Sequence, residues 1–267
     1  MSPAQPPLVG VFDSGVGGLS VLKALHQQLP DNDLLYVADS GHAPYGERSD
    51  EYITTRTHRI ASHLLAEGAS LLVLACNTAT AVAAASLRER WPQLPIVAVE
   101  PGIKPAVGLT HNGHIGVMAT PATLRSDKFR RLLSTHGTSI DVHLQPCPGL
   151  AGLIEQGNNQ DEALLALIDQ FSRPLKQAHV DTVVLGCTHY PFISAQIQAA
   201  FGKGVVLVDT ADAVARQASR LMGPANRAAG SPPRHVSLQT TGDAARLARL
   251  ARHWLPFECS VAHAPGL

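Results

Sequence analysis

The sequence predicts an α/β protein: two similar open parallel-sheet domains related by pseudo-symmetry, with a site in the cleft between them. Three observations lead there. Apolar runs of strand length alternate with segments of helical period along the chain, the pattern of a parallel sheet with helices on its faces. A weak internal repeat sets Val73-Leu74-Ala75-Cys76-Asn77-Thr78 against Val184-Leu185-Gly186-Cys187-Thr188-His189, 111 residues on, and Gly10-Val11-Phe12-Asp13-Ser14 against Gly116-Val117-Met118-Ala119-Thr120, 106 residues on. Two strand ends in each half therefore carry polar groups, and open α/β sheets bind ligands beyond the carboxyl ends of their strands.

Residues 8–12 are a short apolar run that ends in Asp13-Ser14-Gly15-Val16-Gly17-Gly18. Leu19, Val21, Leu22, Leu25 and Leu29 then recur at helical spacing, so this segment reads strand, Gly-rich turn, helix. A second strand, 34–38, ends at Asp39, and a loop with His42-Ala43-Pro44-Tyr45-Gly46 follows. Residues 50–67 are helical, 71–75 a strand that stops at Cys76, 79–90 a helix and 96–99 a strand. In the second half, 115–118 is a strand leading into Ala119-Thr120-Pro121-Ala122-Thr123, 124–133 a helix and 140–144 a strand. The helix at 161–178 has Leu164, Leu165, Ile168, Phe171 and Leu175 on one face. Residues 182–185 form a strand ending at Gly186-Cys187, and a helix starts near Pro191, since proline suits a first turn. The strand 205–208 ends in Asp209-Thr210. The Pro-, Gly- and Ala-rich stretch 224–233 is a loop, 235–239 the last strand and 243–254 the last helix.

Composition narrows the function. The 267 residues are 45% apolar, which excludes a disordered chain, and the 21 basic side chains balance 21 acidic ones. No basic excess or stripe is present, so no nucleic-acid partner is expected. The thirteen histidines are scattered, and His58 and His63, five apart, are poorly spaced as helical metal ligands. The first residues have neither a basic nor an apolar signal region, so a secretory signal is not expected. Residues 68–87 carry no charge over a membrane-spanning length, but Cys76-Asn77-Thr78-Ala79-Thr80 in their middle reads better as strand, polar turn and helix, and no membrane span is expected. Cys76, Cys147, Cys187 and Cys259 show no C-x-x-C spacing, so they are expected to be free thiols in a reducing compartment.

Cys76 and Cys187 sit in matching positions, each at a strand end that opens a helix, where the helix dipole favours a thiolate. Cys147 and Cys259 have no such counterpart and are assigned to packing. Two matched thiols facing one cleft suit the removal and return of a carbon-bound proton. Enantiomers have equal free energy in water, so a racemase must work in both directions, with a base on one face of the α-carbon and an acid on the other. Two other readings use the same residues. Gly15-x-Gly17-x-x-Ser20 with Asp39 approximates a dinucleotide fingerprint but lacks its third glycine, and the turn could equally cradle a carboxylate. A Cys-His hydrolase would use Cys76 as nucleophile and His189 as base, leaving Cys187 unexplained. A third alternative is a dicarboxylate-binding module without catalysis.

Phe12-Asp13-Ser14-Gly15-Val16-Gly17-Gly18-Leu19-Ser20, Pro44-Tyr45-Gly46, Ala75-Cys76-Asn77-Thr78-Ala79, Thr120-x-x-Thr123-x-x-Ser126, Gly186-Cys187-Thr188-His189-Tyr190-Pro191, Asp209-Thr210 and Thr240-Thr241-Gly242-Asp243 span nearly the whole chain. At these residues the sequence resembles the glutamate racemases of the aspartate/glutamate racemase superfamily. The resemblance implies Cys76 and Cys187 as the two bases, Asp13 and His189 as groups assisting the thiols, and Glu155 as an acidic group near His189. It implies a substrate cage of Ser14, Pro44, Tyr45, Gly46, Asn77, Thr78, Thr120, Thr123 and Thr188 together with Asp13, both cysteines and His189. It further implies glutamate as substrate, no metal, no pyridoxal phosphate or other cofactor, a homodimer, and a cytoplasmic role supplying D-glutamate for peptidoglycan. An aspartate racemase-type enzyme of the same superfamily is the nearest alternative. The fold places 1–97 with 209–267 in the first domain and 98–208 in the second. Ser14, Thr188 and Asp209-Thr210 could also serve as helix caps, and Gly15, Gly17 and Gly18 as a tight turn only. Cys147-Pro148-Gly149-Leu150-Ala151-Gly152 departs from the family by two glycines where bulkier apolar residues are usual. With seven residues before the first strand, activation through an N-terminal regulatory extension is not expected.

Overall fold

The computed structural model describes residues 7–137, 140–223, 234–264 and 266–267. Its strands are β1 (Leu8–Asp13), β2 (Asp33–Ala38), β3 (Ala69–Leu74), β4 (Ile96–Ala98), β5 (His114–Ala119), β6 (Asp141–Pro146), β7 (Thr182–Gly186), β8 (Val206–Val208), β9 (Val236–Thr240) and β10 (Ser260–His263). They form two wholly parallel sheets, one of six strands in the order β10-β9-β2-β1-β3-β4 and one of four in the order β6-β5-β7-β8. The order around β1 is thus repeated around β5. In each sheet the chain steps one way from the central strand to its successor, then crosses to the other side. That reversal leaves a crevice at the carboxyl end of the central strand, between β1 and β3 in one sheet and between β5 and β7 in the other.

The helices on the first sheet are α1 (Leu19–Gln28), α2 (Asp50–Ala66) and α3 (Asn77–Arg90). The second sheet carries α4 (Ile103–Leu109), α5 (Pro121–Arg125), α6 (Asp127–His136), α7 (Leu150–Glu155), α8 (Glu162–Gln177) and α9 (Ser194–Phe201). The chain then returns to the first sheet with α10 (Ala211–Met222) and α11 (Ala244–Trp254). Both faces of the first sheet are apolar. Val9, Val11, Leu34, Tyr36, Leu71 and Val73 pack with α1, α10 and α11, while Phe12, Leu35, Val37, Leu72 and Leu74 pack with α2 and α3. Burial on both faces explains why these strands read as continuous apolar runs instead of alternating ones.

The structure corrects several expected elements. The single helix expected at 124–133 is two, broken at Ser126, whose extended backbone ends α5 while its hydroxyl accepts the Phe129 N–H at 3.1 Å to cap α6. Before the helix expected near Pro191 comes a 3-10 turn, Tyr190–Ile193, and α9 begins at Ser194. β10 pairs beyond β9, so 235–239 is not the last strand, and α4, α7 and α10 went unassigned. The uncharged stretch 68–87 is β3 and part of α3, and no helix among the described residues is long and apolar enough to cross a membrane. The loop expected at 224–233 lies outside the described residues.

On α8, Leu164, Ile168, Phe171 and Leu175 are buried, whereas Leu165 is 38% exposed. One residue along a helix turns the side chain by about 100°, which carries it off a stripe spaced by three and four. Leu164→Ala should therefore lower unfolding stability by about 2–5 kcal/mol, and Leu165→Ala should change it by less than about 0.5 kcal/mol. Urea unfolding of both variants checks this difference.

Candidate active site

The crevices of the two sheets open on one cleft of about 330 Å³, and Cys76 and Cys187 both line it. Cys76 follows β3 and is the N-cap of α3. Its sulfur accepts the Ala79 N–H at 3.4 Å and donates its proton to the Ser14 hydroxyl, also at 3.4 Å. Cys187 follows β7 and its sulfur lies 3.6 Å from Nδ1 of His189. It opens onto the 3-10 turn, not onto an α-helix, so the expected likeness of the two turns stops at the strand end.

The helix dipole does not prevail at Cys76. Burial first, then the charge of Asp13, push its thiol up to about 12, against hydrogen bonds from Ser14 and Ala79. A helix terminus contributes about 0.3–1 kcal/mol, rising to about 2 kcal/mol in partly buried sites. Full burial can shift a group by several pH units, each worth about 1.4 kcal/mol. Burial thus keeps Cys76 a protonated thiol, where the helix end alone suggested a thiolate.

The other side of the cleft is organised around His189, which is 5% exposed. Its Nε2 lies 2.6 Å from Oε1 of Glu155, and the same oxygen accepts the Val16 N–H at 2.8 Å. Burial alone would lower the imidazole, but Cys187 and Glu155 against its two nitrogens raise it well above the ordinary value. Burial would likewise raise Glu155, but His189, the Val16 N–H and Arg246 hold its carboxyl below the ordinary value. The pair is thus imidazolium and carboxylate. Asp13 is fully buried, with Oδ1 accepting the Gly15 N–H at 2.8 Å and Oδ2 accepting the Thr188 hydroxyl at 2.9 Å. Burial raises its carboxyl despite His189. Asp13 acts on Cys76 through charge, while the sulfur's hydroxyl partner is Ser14. Ser14 and Thr188 are therefore not helix caps; Thr210 is the N-cap residue of α10 but makes no side-chain cap bond, while the Asp209 carboxylate before it accepts the Ala211 N–H at 2.7 Å.

Glycine is needed at Gly15 and Gly17 for approach, not for turn geometry alone. A Cβ at Gly15 would fall 2.0 Å from Oε1 of Glu155, and one at Gly17 would fall 2.3 Å from Nδ1 of His189. Neither position has a positive φ.

Hydroxyls and amides gather along the rest of the cleft. Thr78 on α3 meets Thr120 at 3.0 Å, and Thr120 meets Thr123 at 2.9 Å, so this triad spans the seam between the sheets. Asn77 is buried, and among the described residues its Nδ2 has no partner, which leaves a donor for an acceptor in the cleft. Pro44, Tyr45 and Gly46 line the cleft, but the Tyr45 hydroxyl is turned away, donating to Oδ2 of Asp39 at 2.5 Å. Asp39 also receives Arg56 through Nε at 2.9 Å and Nη2 at 2.8 Å, and the Thr241 hydroxyl at 2.8 Å. With its oxygens so occupied, Asp39 is not placed to bind a ribose, which removes the dinucleotide reading. The hydrolase reading fails too, because His189 faces Cys187 and not Cys76. Among the described residues no group of three or more His, Cys, Asp or Glu is placed to hold a metal ion.

Asp13 and Thr123 stand behind the cleft wall, and the other expected residues line it. Other residues not expected at the site also line it, among them Arg246 and Cys147. Arg246 on α11 lines the cleft and donates to the Glu155 carbonyl across the seam. Its only sequence signal is its position one turn after Thr240-Thr241-Gly242-Asp243. Cys147 packs in the core of the second sheet as expected and also reaches the cleft beside Pro148 and Gly149. Its thiol is pushed up to about 12, chiefly by burial. Cys259 is half-buried at the edge of the first core and away from the cleft.

Comparison with known proteins gives consistent matches. The profile of the family described as Asp/Glu/Hydantoin racemase matches residues 9–218. A curated glutamate racemase of Ectopseudomonas mendocina is 52% identical over 247 residues, covering 92% of this chain and 94% of that protein. One from Pseudomonas aeruginosa PAO1 is 51% identical over 80% of this chain and 81% of its own length. Among solved structures, a glutamate racemase isoform of Bacillus anthracis superposes with a TM-score of 0.87 at 31% identity, over 97% of this chain and 98% of that one. The Escherichia coli glutamate racemase in complex with L-glutamate and the activator UDP-MurNAc-ala superposes with a TM-score of 0.82 at 32% identity, over 96% and 99%.

Two outcomes follow from the electrostatics. Arg56→Met should cost about 3–5 kcal/mol in chemical unfolding, because it strands the Asp39 carboxylate, 0% exposed, without its cation. The Glu155–His189 pair should stabilise the fold over a bounded pH range. The depressed Glu155 contributes fully above its ordinary value of 4.5 and loses this as pH falls through its lower folded value. The raised His189 contributes fully below its ordinary value of 6.5 and loses this as pH rises through its higher folded value. The stability difference between wild type and Glu155→Gln should therefore peak between pH 4.5 and 6.5, as unfolding curves taken across pH would register.

Proposed function

The chain belongs to the Asp/Glu/hydantoin racemase family and is an isomerase of the glutamate racemase kind, and from that premise we propose that it interconverts L- and D-glutamate by proton transfer between Cys76 and Cys187. One observation carries the reading: two buried cysteines from equivalent strand ends line a single cleft, each with its own proton-handling neighbours. Glutamate as the substrate is supported by the names of the relatives and by the Escherichia coli and Francisella tularensis glutamate racemases, whose structures hold L-glutamate and D-glutamate.

The step balances without an outside reactant. One sulfur, as thiolate, takes the α-proton; the C–H electron pair moves onto the α-carbon and into the adjoining carboxylate; the opposite thiol returns a proton to the other face. The reaction moves one proton and exchanges the thiol and thiolate states of the two cysteines. Burial makes Cys76 the protonated partner. On the other side His189, cationic and locked to Glu155 through Nε2, is placed by Nδ1 to hand a proton to the Cys187 sulfur or take it back. Asp13 supplies the corresponding negative field near Cys76.

Substrate binding follows from the donors along the cleft. Asn77 Nδ2, the hydroxyls of Ser14, Thr78, Thr120 and Thr188, and the backbone of Pro44, Tyr45 and Gly46 hold the two carboxylates, with Thr123 steadying Thr120. A carboxylate accepting several N–H and O–H donors in a low-dielectric cleft is held far more firmly than in water. In this reading residues 1–97 with 209–267 form the Cys76 domain, 98–208 form the Cys187 domain, and the enzyme acts as a cytoplasmic homodimer supplying D-glutamate for peptidoglycan.

The test is incubation of purified protein, without added cofactor, with L-glutamate or L-aspartate in deuterated water, following optical rotation and the α-proton signal. Glutamate rotation should decay to zero as deuterium enters the α-position, and Cys76→Ser and Cys187→Ser should each abolish racemisation. Turnover of aspartate alone would sink the substrate assignment, and absence of exchange with either would sink the proton-transfer reading.

A further inference from the structure

Resting on the racemase reading above, we propose that Tyr36 is a positioning residue for the reaction: its phenolic O–H fixes the Gly15–Val16 peptide plane whose N–H orients Glu155 toward His189 and Cys187. Tyr36 lies on β2, fully buried beneath the loop that follows β1. Its hydroxyl donates to the Gly15 carbonyl at 2.6 Å. That carbonyl and the Val16 N–H belong to one planar peptide unit and point in opposite directions. Tyr36 therefore grips one end of the plane while Glu155 Oε1 accepts from the other at 2.8 Å. Neither end can rotate without breaking the other bond. From Glu155 the chain runs to His189 Nε2 at 2.6 Å, and from Nδ1 to Cys187 at 3.6 Å.

Gly15 also ties the loop to Asp13, but through the preceding peptide unit, whose N–H donates to Asp13 Oδ1 at 2.8 Å. Packing leaves the phenol little freedom: a Cβ at Gly18 would come within 3.0 Å of both Cε2 and Oη of Tyr36. Burial, with the charges of Asp13 and Glu155, holds Tyr36 well above the ordinary phenol value, so it remains an O–H donor at any working pH. Without the hydroxyl, the Gly15 carbonyl becomes a buried acceptor lacking a partner, which drives the plane to turn. The groups that then set the acid limb are those facing the two carboxylates: His189 and Arg246 at Glu155, and His189 and Glu155 at Asp13. Loss of the aligned Val16 N–H removes a donor that holds the Glu155 carboxyl down, so the acid limb moves to higher pH.

The experiment compares wild type, Tyr36→Phe and Tyr36→p-aminophenylalanine, which keeps an N–H donor at the same place. For Tyr36→Phe we expect kcat/KM to fall about tenfold or more, the loss lying mainly in kcat, with the acid limb displaced upward and amide exchange at Val16 accelerated. The donor-bearing variant should recover most of the rate and the limb. A tyrosine that served packing alone would leave the pH limb in place, since phenylalanine fills nearly the same volume. A Tyr36→Phe protein with wild-type kcat/KM and limb overturns the proposal, as does a p-aminophenylalanine variant that is folded and as slow as Tyr36→Phe. The second comparison stands even if Tyr36→Phe folds poorly, because the donor-bearing variant is then measured against wild type. A wild type that exchanges no α-proton overturns the racemase reading itself, an outcome distinct from an active wild type with an unaffected variant.

Discussion

The contact between the loop after β1 and the Glu155–His189 pair is the constraint on which the site depends. It brings a backbone N–H of the first sheet onto a carboxylate of the second at 2.8 Å, in a place where a single added Cβ at Gly15 would overlap that carboxylate. The contact is short-range and directional, so it sets the separation and angle of the two halves, not merely their adjacency. The Asp13–Thr188 hydrogen bond and the donation from the Ser20 hydroxyl to the Thr188 carbonyl at 3.1 Å lie on the same seam. Together they face the end of β3 toward the end of β7, and the two cysteines follow from that.

Charge is arranged unequally across the cleft. Around Cys187 an ion pair holds an imidazolium against the sulfur, whereas around Cys76 the nearest ionisable group is a buried carboxyl and the direct partner is a neutral hydroxyl. The backbone repeat is symmetric and the electrostatics are not. A reaction with an equilibrium constant of one in water still permits this, because thermodynamics fixes only the ratio of the forward to the reverse kcat/KM. The protein is free to keep its resting protons in one arrangement.

The Asp39 carboxylate shows how the outer parts of the first domain are tied to the cleft. It collects Tyr45 from the loop after β2, Arg56 from α2 and, 202 residues beyond Asp39, Thr241 from the end of β9, so three segments meet on one buried anion. A buried ion is tolerated only when its acceptors are filled, and here filling them places the Pro44-Tyr45-Gly46 backbone along the cleft. No local pattern marks the arrangement, because the three donors come from a loop, a helix and a strand end. Asp39 read as a ribose ligand because a carboxylate about one strand beyond a Gly-rich turn has the same linear signature in both settings.

Sequence alone determined the α/β class, the repeat, the residues at the strand ends and, through their resemblance to a family, both cysteines and many of the polar groups that line the cleft. These are properties of local pattern: apolar runs of strand length, glycine-rich turns, and polar residues where a strand must stop. Tertiary structure decided what depends on two segments meeting. It broke the helix at Ser126, turned Leu165 outward, drew Arg246 and Cys147 to the cleft, and made Cys76 a protonated thiol where the helix end had suggested a thiolate. It also gave Gly15 and Gly17 their reason, which is contact with Glu155 and His189 more than a hundred residues away. Burial and close approach are sums over neighbours from the whole chain, and a linear pattern carries no term for them.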